Sequence, residues 1–280
     1  MKLNNKVAIV TGSAMGIGKA IARHLGREGA SVVLNGRDPV RLSRTCYQLL
    51  EEGLDVSACV GDISNIEDCR KLVAHAISQY GRLDILINNA GVSHKGFFKD
   101  TLPGVFRESV EINILGTMFL TREALPGILA SKGQILFISS LAGLRGFPFH
   151  SLYCLTKMAQ TALAESLRSE LIDQGVHVGI IYVGITKNDP AKRVIFSDGT
   201  PMRLPERNHS FAASPERVAG AVLQALERKR FKSVVGWHGM FYSLFARFAP
   251  RVMDFAFRRN TDFIVKQNIE ETALVHRELS

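Results

Sequence analysis

The sequence predicts a doubly wound α/β fold, a parallel sheet covered by helices on both faces, followed by a helical C-terminal extension. Three observations predict it. Short β-branched runs alternate with helix-length segments from residue 6 to about 182. The runs are nearly all apolar, as strands buried on both faces must be. A glycine-rich turn joins the first run to the first helical segment, which places a ligand at the carboxyl ends of the strands.

Taken in order, strands are expected at Val7–Val10, Ser31–Leu34, Val56–Val60, Leu83–Ile87, Gln134–Ser139 and Val176–Tyr182. Helical apolar spacing covers about 17–28, 39–52, 66–80, 103–130 and 153–173. After residue 184 the alternation breaks, and four of the nine prolines fall in one long stretch that reads as an irregular excursion. It ends at Ser214-Pro215-Glu216, a helix start in which Ser caps and Pro takes the first helical position. A short strand, Ser233–Gly236, and an aromatic-rich tail follow.

Bulk properties narrow the function classes. Of 280 residues, 46% are hydrophobic and 22% charged, an ordinary globular balance. No apolar run approaches the ~20 residues of a membrane-spanning helix, and the chain enters "KVAIVTG" without a leader pattern, so a cytoplasmic protein is expected. Cys46, Cys59, Cys69 and Cys154 lack metal-type spacing, and no metal site is expected. Cys154 reads as a small apolar filler, or as an oxidant-exposed thiol beside the reactive residues described below. The net charge of +9 is concentrated at 227–232 and 247–259. There the basic residues alternate with aromatics instead of forming an open stripe, so nucleic acid is not an expected partner.

The first run leads into "TGSAMGIGKAIARHLGREGA". Gly12, Gly16 and Gly18, with Ser13 and Ile17 between them, stand where strand becomes helix. Absent side chains permit a tight turn and close approach of a pyrophosphate, and the helix N-terminus offers free N–H groups. Glycines here can also be plain turn residues. With its G-x-x-x-G-x-G spacing between these elements, the chain resembles the short-chain dehydrogenase/reductase family, over roughly residues 5–188.

The second strand ends in "VVLNGRDPVRL". Gly36 stands where an NAD-selective site would carry a carboxylate for the ribose 2′-hydroxyl, and Arg37 follows, able to pair bidentately with a 2′-phosphate. The expected cofactor is NADP(H), the other reading of Arg37 being a solvated charge. Asp38, before Pro39, is expected to cap the next helix. In "GDIS" the resemblance implies that Asp62 accepts from the adenine amino group and Ile63 packs on the ring, a helix cap being a compatible reading. In "INNAG" it implies that Asn88 to Gly91 steady the sheet, with Asn89, Ala90 and Gly91 lining the cofactor.

Tyr153 and Lys157, in "YCLTK", share one helix face. A nearby ammonium favours phenolate and lowers a tyrosine pKa from about 10. Tyr153 can then donate a proton to a developing alkoxide, or accept one in reverse, and Lys157 can also hold the nicotinamide ribose. Ser140, thirteen residues before Tyr153, can bind the substrate oxygen; the family's spacing selects it over Ser139. Asn113, in "EINILGT", matches the family's asparagine, which helps to hold a water in the proton relay. One departure stands out in "IIYVGITKND": Val183 occupies the place of the family's usual proline. Gly184 is kept, Thr186 is expected to face the carboxamide, and Asn188 stands where threonine is common.

These readings divide the chain into a Rossmann-type cofactor-binding and catalytic domain, 1–236, with a substrate loop at 184–214, and a tail at 237–280. The tail interleaves Trp237, Phe241, Phe245, Phe248, Phe255 and Phe257 with Arg247, Arg251, Arg258 and Arg259. It reads either as a core or dimer-contact helix or as a basic amphipathic helix on an anionic membrane, broken in two by Pro250. A weak likeness to family members acting on steroids, retinoids and lipid ketones implies a bulky hydrophobic carbonyl or alcohol, with reduction the expected direction. The resemblance also implies a homodimer or homotetramer through the long central helices. The alternative is a non-catalytic NADP(H)-binding or membrane-docked module on the same fold; an epimerase or dehydratase ranks last.

Overall fold

The computed structural model describes residues 2–187, 189–203, 212–261 and 265–266. Its first strand, β1 (Val7–Val10), is buried throughout, and its alternate side chains feed two separate cores. Ala8 and Val10 pack with Ile21 and Leu25 of α1 (Gly16–Arg27) and with Val218 and Val222 of α7 (Pro215–Glu227). Val7 and Ile9 pack instead with Leu72 of α3 (Ile66–Tyr80) and with Leu120 and Ile128 of α5 (Thr117–Ser131). A sheet with a core on each face is the doubly wound arrangement that the apolar strands imply.

The other strands of this sheet are β2 (Ser31–Gly36), β3 (Val56–Val60), β4 (Ile85–Asn88), β6 (Gln134–Ser140), β7 (His177–Val183) and β10 (Lys232–Val234). Among the described residues, seven parallel strands stand in the order β3-β2-β1-β4-β6-β7-β10, a Rossmann-type α/β fold. The order reverses between β1 and β4, which opens the crevice at their carboxyl ends. Helix α2 (Pro39–Glu51) starts where Asp38 caps it, the carboxylate accepting from Arg41 N at 3.0 Å. Ser214 likewise accepts from Arg217 N at the start of α7, at 3.2 Å.

Three features depart from the sequence expectation. The helix expected over 103–130 is built as α4 (Pro103–Val110), a π-helical turn (Glu111–Gly116) and α5, so the wide turn falls on Asn113. The excursion after residue 184 is partly regular: β8 (Arg193–Phe196) and β9 (Pro201–Arg203) form an antiparallel hairpin. Together with β5 (Ser93–Lys95), which pairs with β8, they make a second, three-stranded sheet. Strands this short carry too little alternation to be read from sequence.

Beyond β10, α8 (Trp237–Phe248) is followed, past Ala249, by a helical stretch over 250–261, so the chain is divided at Pro250 as its sequence suggests. Among the described residues no helix is long and apolar enough to cross a membrane.

Candidate active site

The turn from β1 into α1 forms a cradle lined by backbone. Gly12 and Gly16 take positive φ, +60° and +53°. A Cβ on Gly18 would stand 2.3 Å from the Gly12 carbonyl oxygen, so the helix approaches this closely only with glycine there. Gly16 N donates to the Asp189 carboxylate at 3.1 Å, which demonstrates an outward N–H that takes an anion. A glycine floor, an anion-accepting helix start and a crevice at the strand ends fit a dinucleotide pyrophosphate. Ile17 lies half-buried against the core. Ser13 is fully buried and ties the turn to β2: its hydroxyl donates to Asn35 O at 3.3 Å and accepts from Asn35 N at 2.9 Å.

At the end of β2, Gly36 presents no side chain, and a Cβ there would meet only Ala14 and Leu42 at ordinary contact distance. Arg37 is exposed and lies 3.5 Å from the Asp62 carboxylate. Arg41, one turn into α2, reaches back to Met15 Sδ at 3.2 Å, a second guanidinium at this corner that the sequence reading missed. Asp62 holds its own turn, accepting from Ser64 N at 2.9 Å and Ser64 Oγ at 2.8 Å. The cap of α3 is Asn65, which accepts from Glu67 N and Asp68 N. Ile63 is buried, with its side chain against Gly116.

Asn89 fastens the carboxyl end of β4 to that of β1, donating through Nδ2 to Thr11 O at 2.8 Å and to Gly12 O at 3.3 Å. The N–H groups of Asn89 and Ala90 both donate to Thr11 Oγ1, at 2.9 Å. Gly91 completes the segment; a Cβ there would come 2.9 Å from Asn113 Oδ1 and 3.9 Å from Lys157 Nζ.

Helix α6 (Ser151–Leu171) carries Tyr153 and Lys157 side by side, with the ammonium 5.9 Å from the phenol ring centre. Lys157 is buried; its Nζ donates to Ile138 O and to Gln160 Oε1, both at 3.0 Å. Burial, with Lys192 as a lesser cause, brings its pKa down from 10.5 to about 7. Ser140 ends β6 opposite Val183, and its hydroxyl accepts from Ala142 N at 3.2 Å. Asn113 is tied by its side chain to Val92, accepting from Val92 N at 2.8 Å and donating to Val92 O at 2.9 Å. Its carbonyl accepts from Gln160 Nε2 at 3.0 Å and from Thr117 Oγ1 at 2.9 Å. Gln160 was also missed by sequence reasoning, although its place three residues after Lys157 on the same helix face was visible.

Val183 lets β7 continue one residue further than expected, in register with Ser140. Gly184 follows against Leu141, and Thr186, largely buried, bridges to Ala213. Asn188 lies outside the described residues. Cys154 is buried and its thiol is pushed up by burial, which favours the filler reading over oxidant exposure.

Helix α8 leans on this site through Gly239, whose missing Cβ admits the Leu141 and Val234 side chains. Tyr242, on the inner side, lies near Cys154 and Arg145, and burial pushes its hydroxyl up to about 12. The opposite face is open: Trp237, Met240, Phe241, Leu244, Phe245 and Phe248, spaced as one helical stripe, are all exposed. Among the described residues nothing buries this stripe.

A family model described as short chain dehydrogenase matches residues 6–196. The chain is 33% identical over 235 residues to dehydrogenase/reductase SDR family member 7B of Rattus norvegicus, covering 81% of this chain and 72% of that one. It is 38% identical over 194 residues to 11-beta-hydroxysteroid dehydrogenase-like 4A of Arabidopsis thaliana, covering 67% of this chain and 63% of that one. Among solved structures, an alcohol dehydrogenase from the archaeon Thermococcus sibiricus complexed with 5-hydroxy-NADP is similar, with TM-score 0.71 and 26% identity over 82% of this chain and 94% of that one. A short chain dehydrogenase/reductase from Burkholderia phymatum in complex with NAD shares the fold, with TM-score 0.74 and 23% identity over 84% of this chain and 90% of that one. The chain belongs to the short-chain dehydrogenase/reductase family, oxidoreductases that act on alcohol and ketone groups.

Proposed function

We propose that this protein reduces the carbonyl of a bulky, apolar substrate, steroid- or lipid-like, with NADPH. The observation that carries the reading is the buried Lys157 ammonium beside Tyr153, on a helix that faces the Ser140 end of β6. NADPH, when bound in the glycine cradle, supplies the hydride. Ser140 holds the substrate oxygen, and Tyr153 delivers the proton to the alkoxide that forms there. Lys157 stabilises the phenolate left behind.

The preference for NADP(H) rests on the absence of a carboxylate at Gly36 and on the guanidinium groups of Arg37 and Arg41 at the same corner. The substrate class is supported by the apolar helix α8, whose inner face packs through Gly239 against Leu141 next to Ser140, and by the hydroxysteroid dehydrogenase-like name of a relative. In this reading residues 1–236 form the cofactor-binding and catalytic unit, and 184–214 shape the substrate side.

The stripe, with Arg247, Arg251, Arg258 and Arg259 exposed beside it, suits a cytoplasmic protein resting on an anionic membrane that holds such substrates. Exposed Met118, Leu155 and Met158 on α5 and α6 suit pairing of two copies through the long helices.

The test is NADPH oxidation by the purified protein against ketones from small to steroid-sized, with NADH in parallel. Turnover of the large ketones with NADPH supports the reading. Equal turnover with NADH, or turnover confined to small polar ketones, overturns the corresponding part. Sedimentation with phosphatidylserine-containing vesicles but not with phosphatidylcholine vesicles tests the membrane contact.

A further inference from the structure

Asn113 is the residue that, by the family resemblance, helps to hold a relay water, and between it and Lys157 stands a side chain. Gln160 is 2% exposed. Its Oε1 accepts from Lys157 Nζ at 3.0 Å, and its Nε2 donates to Asn113 O at 3.0 Å and to Thr117 Oγ1 at 3.3 Å. Both N–H groups and the carbonyl are thus engaged, and the link is continuous from the π-helical turn to the ammonium. A second bond, to Ile138 O, holds the ammonium from the β6 side and leaves one of its three N–H donors for the cleft.

An amide and a water differ in what they can pass on. A water accepts one proton while releasing another; a primary amide accepts only at oxygen and donates only at nitrogen, so it holds both neighbours without relaying a proton between them. We propose that Gln160 is a positioning residue that replaces the relay water, fixing Lys157 beside Tyr153 and closing the inner proton path through Asn113. This rests on the reading in which Lys157 assists Tyr153. Tyr153 then exchanges its proton with solvent on the cleft side.

The groups facing Lys157 make its state readable. Tyr153 on α6 and Lys192 ahead of β8 are the titratable neighbours. Ile138 on β6, Asn113 in the π-helical turn, Thr117 on α5 and Gly91 ahead of β5 present none. Tyr182 of β7 bonds to Thr161, one turn further along α6.

The experiment is a carbon-13 NMR titration of lysine-labelled protein, with the Lys157 signal assigned by Lys157→Met, so no substrate is needed. Gln160→Leu fills the space without an acceptor and is expected to lower the Lys157 midpoint by about one pH unit, tenfold in the ionisation constant. Gln160→Ala opens room for about one water and is expected to titrate close to the wild type. Where a ketone is turned over, kcat should fall about tenfold or more in Gln160→Leu and less in Gln160→Ala, although the alanine variant melts lower. A purely structural role reverses that order, because the larger cavity does the greater damage. An unchanged midpoint in Gln160→Leu, or equal shifts in both variants, overturns the proposal. Should the leucine variant fail to fold, Gln160→Glu must raise the midpoint; no rise overturns the proposal equally. The titration stands whether or not the ketone assay finds a substrate, so the two readings fail separately.

Discussion

The Asp189 carboxylate accepts the backbone N–H of Gly16 at 3.1 Å, so an anion from the segment after β7 stands at the amino end of α1. The same side chain accepts from Ala191 N at 2.9 Å, which holds it in place. A pyrophosphate bound in the cradle competes with this carboxylate for the same N–H. Asp189→Asn should therefore tighten NADPH binding about threefold to tenfold, measured by nucleotide fluorescence. Weaker binding in the variant would mean that Asp189 supports the cofactor rather than rivals it.

Gly18 admits no side chain. Gly18→Ala drives a methyl against the Gly12 carbonyl oxygen, and the backbone of the turn must shift to relieve it. A loss of roughly 1–3 kcal/mol in unfolding free energy is expected by urea denaturation. Wild-type stability would show that the turn opens freely, against the close approach seen here.

Cofactor choice should invert with the corner at β2. Arg37→Ala is expected to weaken NADPH by about tenfold to a hundredfold and leave NADH little changed. Gly36→Asp, whose Cβ would meet only Ala14 and Leu42 at ordinary contact distance, should go further and favour NADH. If kcat/KM for NADPH survives both changes, the phosphate is read elsewhere, and Arg41 is the next residue to replace.

Tyr153→Phe should retain NADPH binding and lose turnover by at least about a hundredfold, the usual contribution of a positioned acid. Retained turnover would remove Tyr153 from the proton-transfer role.

His94, on β5, is 1% exposed, and neither ring nitrogen has a hydrogen-bond partner among the described residues. Burial lowers its pKa from 6.5 to about 4. The unfolded chain takes up this proton first, so stability is full above about pH 6.5 and drains as pH falls toward 4. His94→Leu should flatten the fall of Tm between pH 7.5 and 5. An equal fall in both proteins would place the acid sensitivity in other groups.

How much of this was legible depended on what each residue packs against. The strands of the main sheet were readable because both faces are buried, as in the unbroken apolar run of β1. The small sheet was not, because Ser93-His94-Lys95 buries a histidine and a lysine where a strand reading looks for apolar residues. The stripe on α8 was visible as a helix, but spacing alone does not say whether a stripe faces inward or outward. At the site, Ser140, Tyr153 and Lys157 were singled out by spacing and by the family resemblance, and the structure places Ser140 at the end of β6 and Tyr153 and Lys157 side by side on α6. Gln160 escaped because a glutamine on a helix is ordinarily a solvated residue; only its shared face with Lys157 marked it. Arg41 escaped because one cation at the β2 end already accounted for a phosphate.

The hairpin of β8 and β9 pairs with β5, and β5 follows closely on the Asn89–Gly91 segment that lines the cradle. At its base the same excursion is fastened where Thr186 bridges to Ala213. The described stretch 193–203, paired with β5, has surrendered much of its chain entropy before any ligand arrives. Residues 193–203 then contribute little ordering cost to binding. The hairpin itself should then add no signature of coupled folding to the heat-capacity change on complex formation.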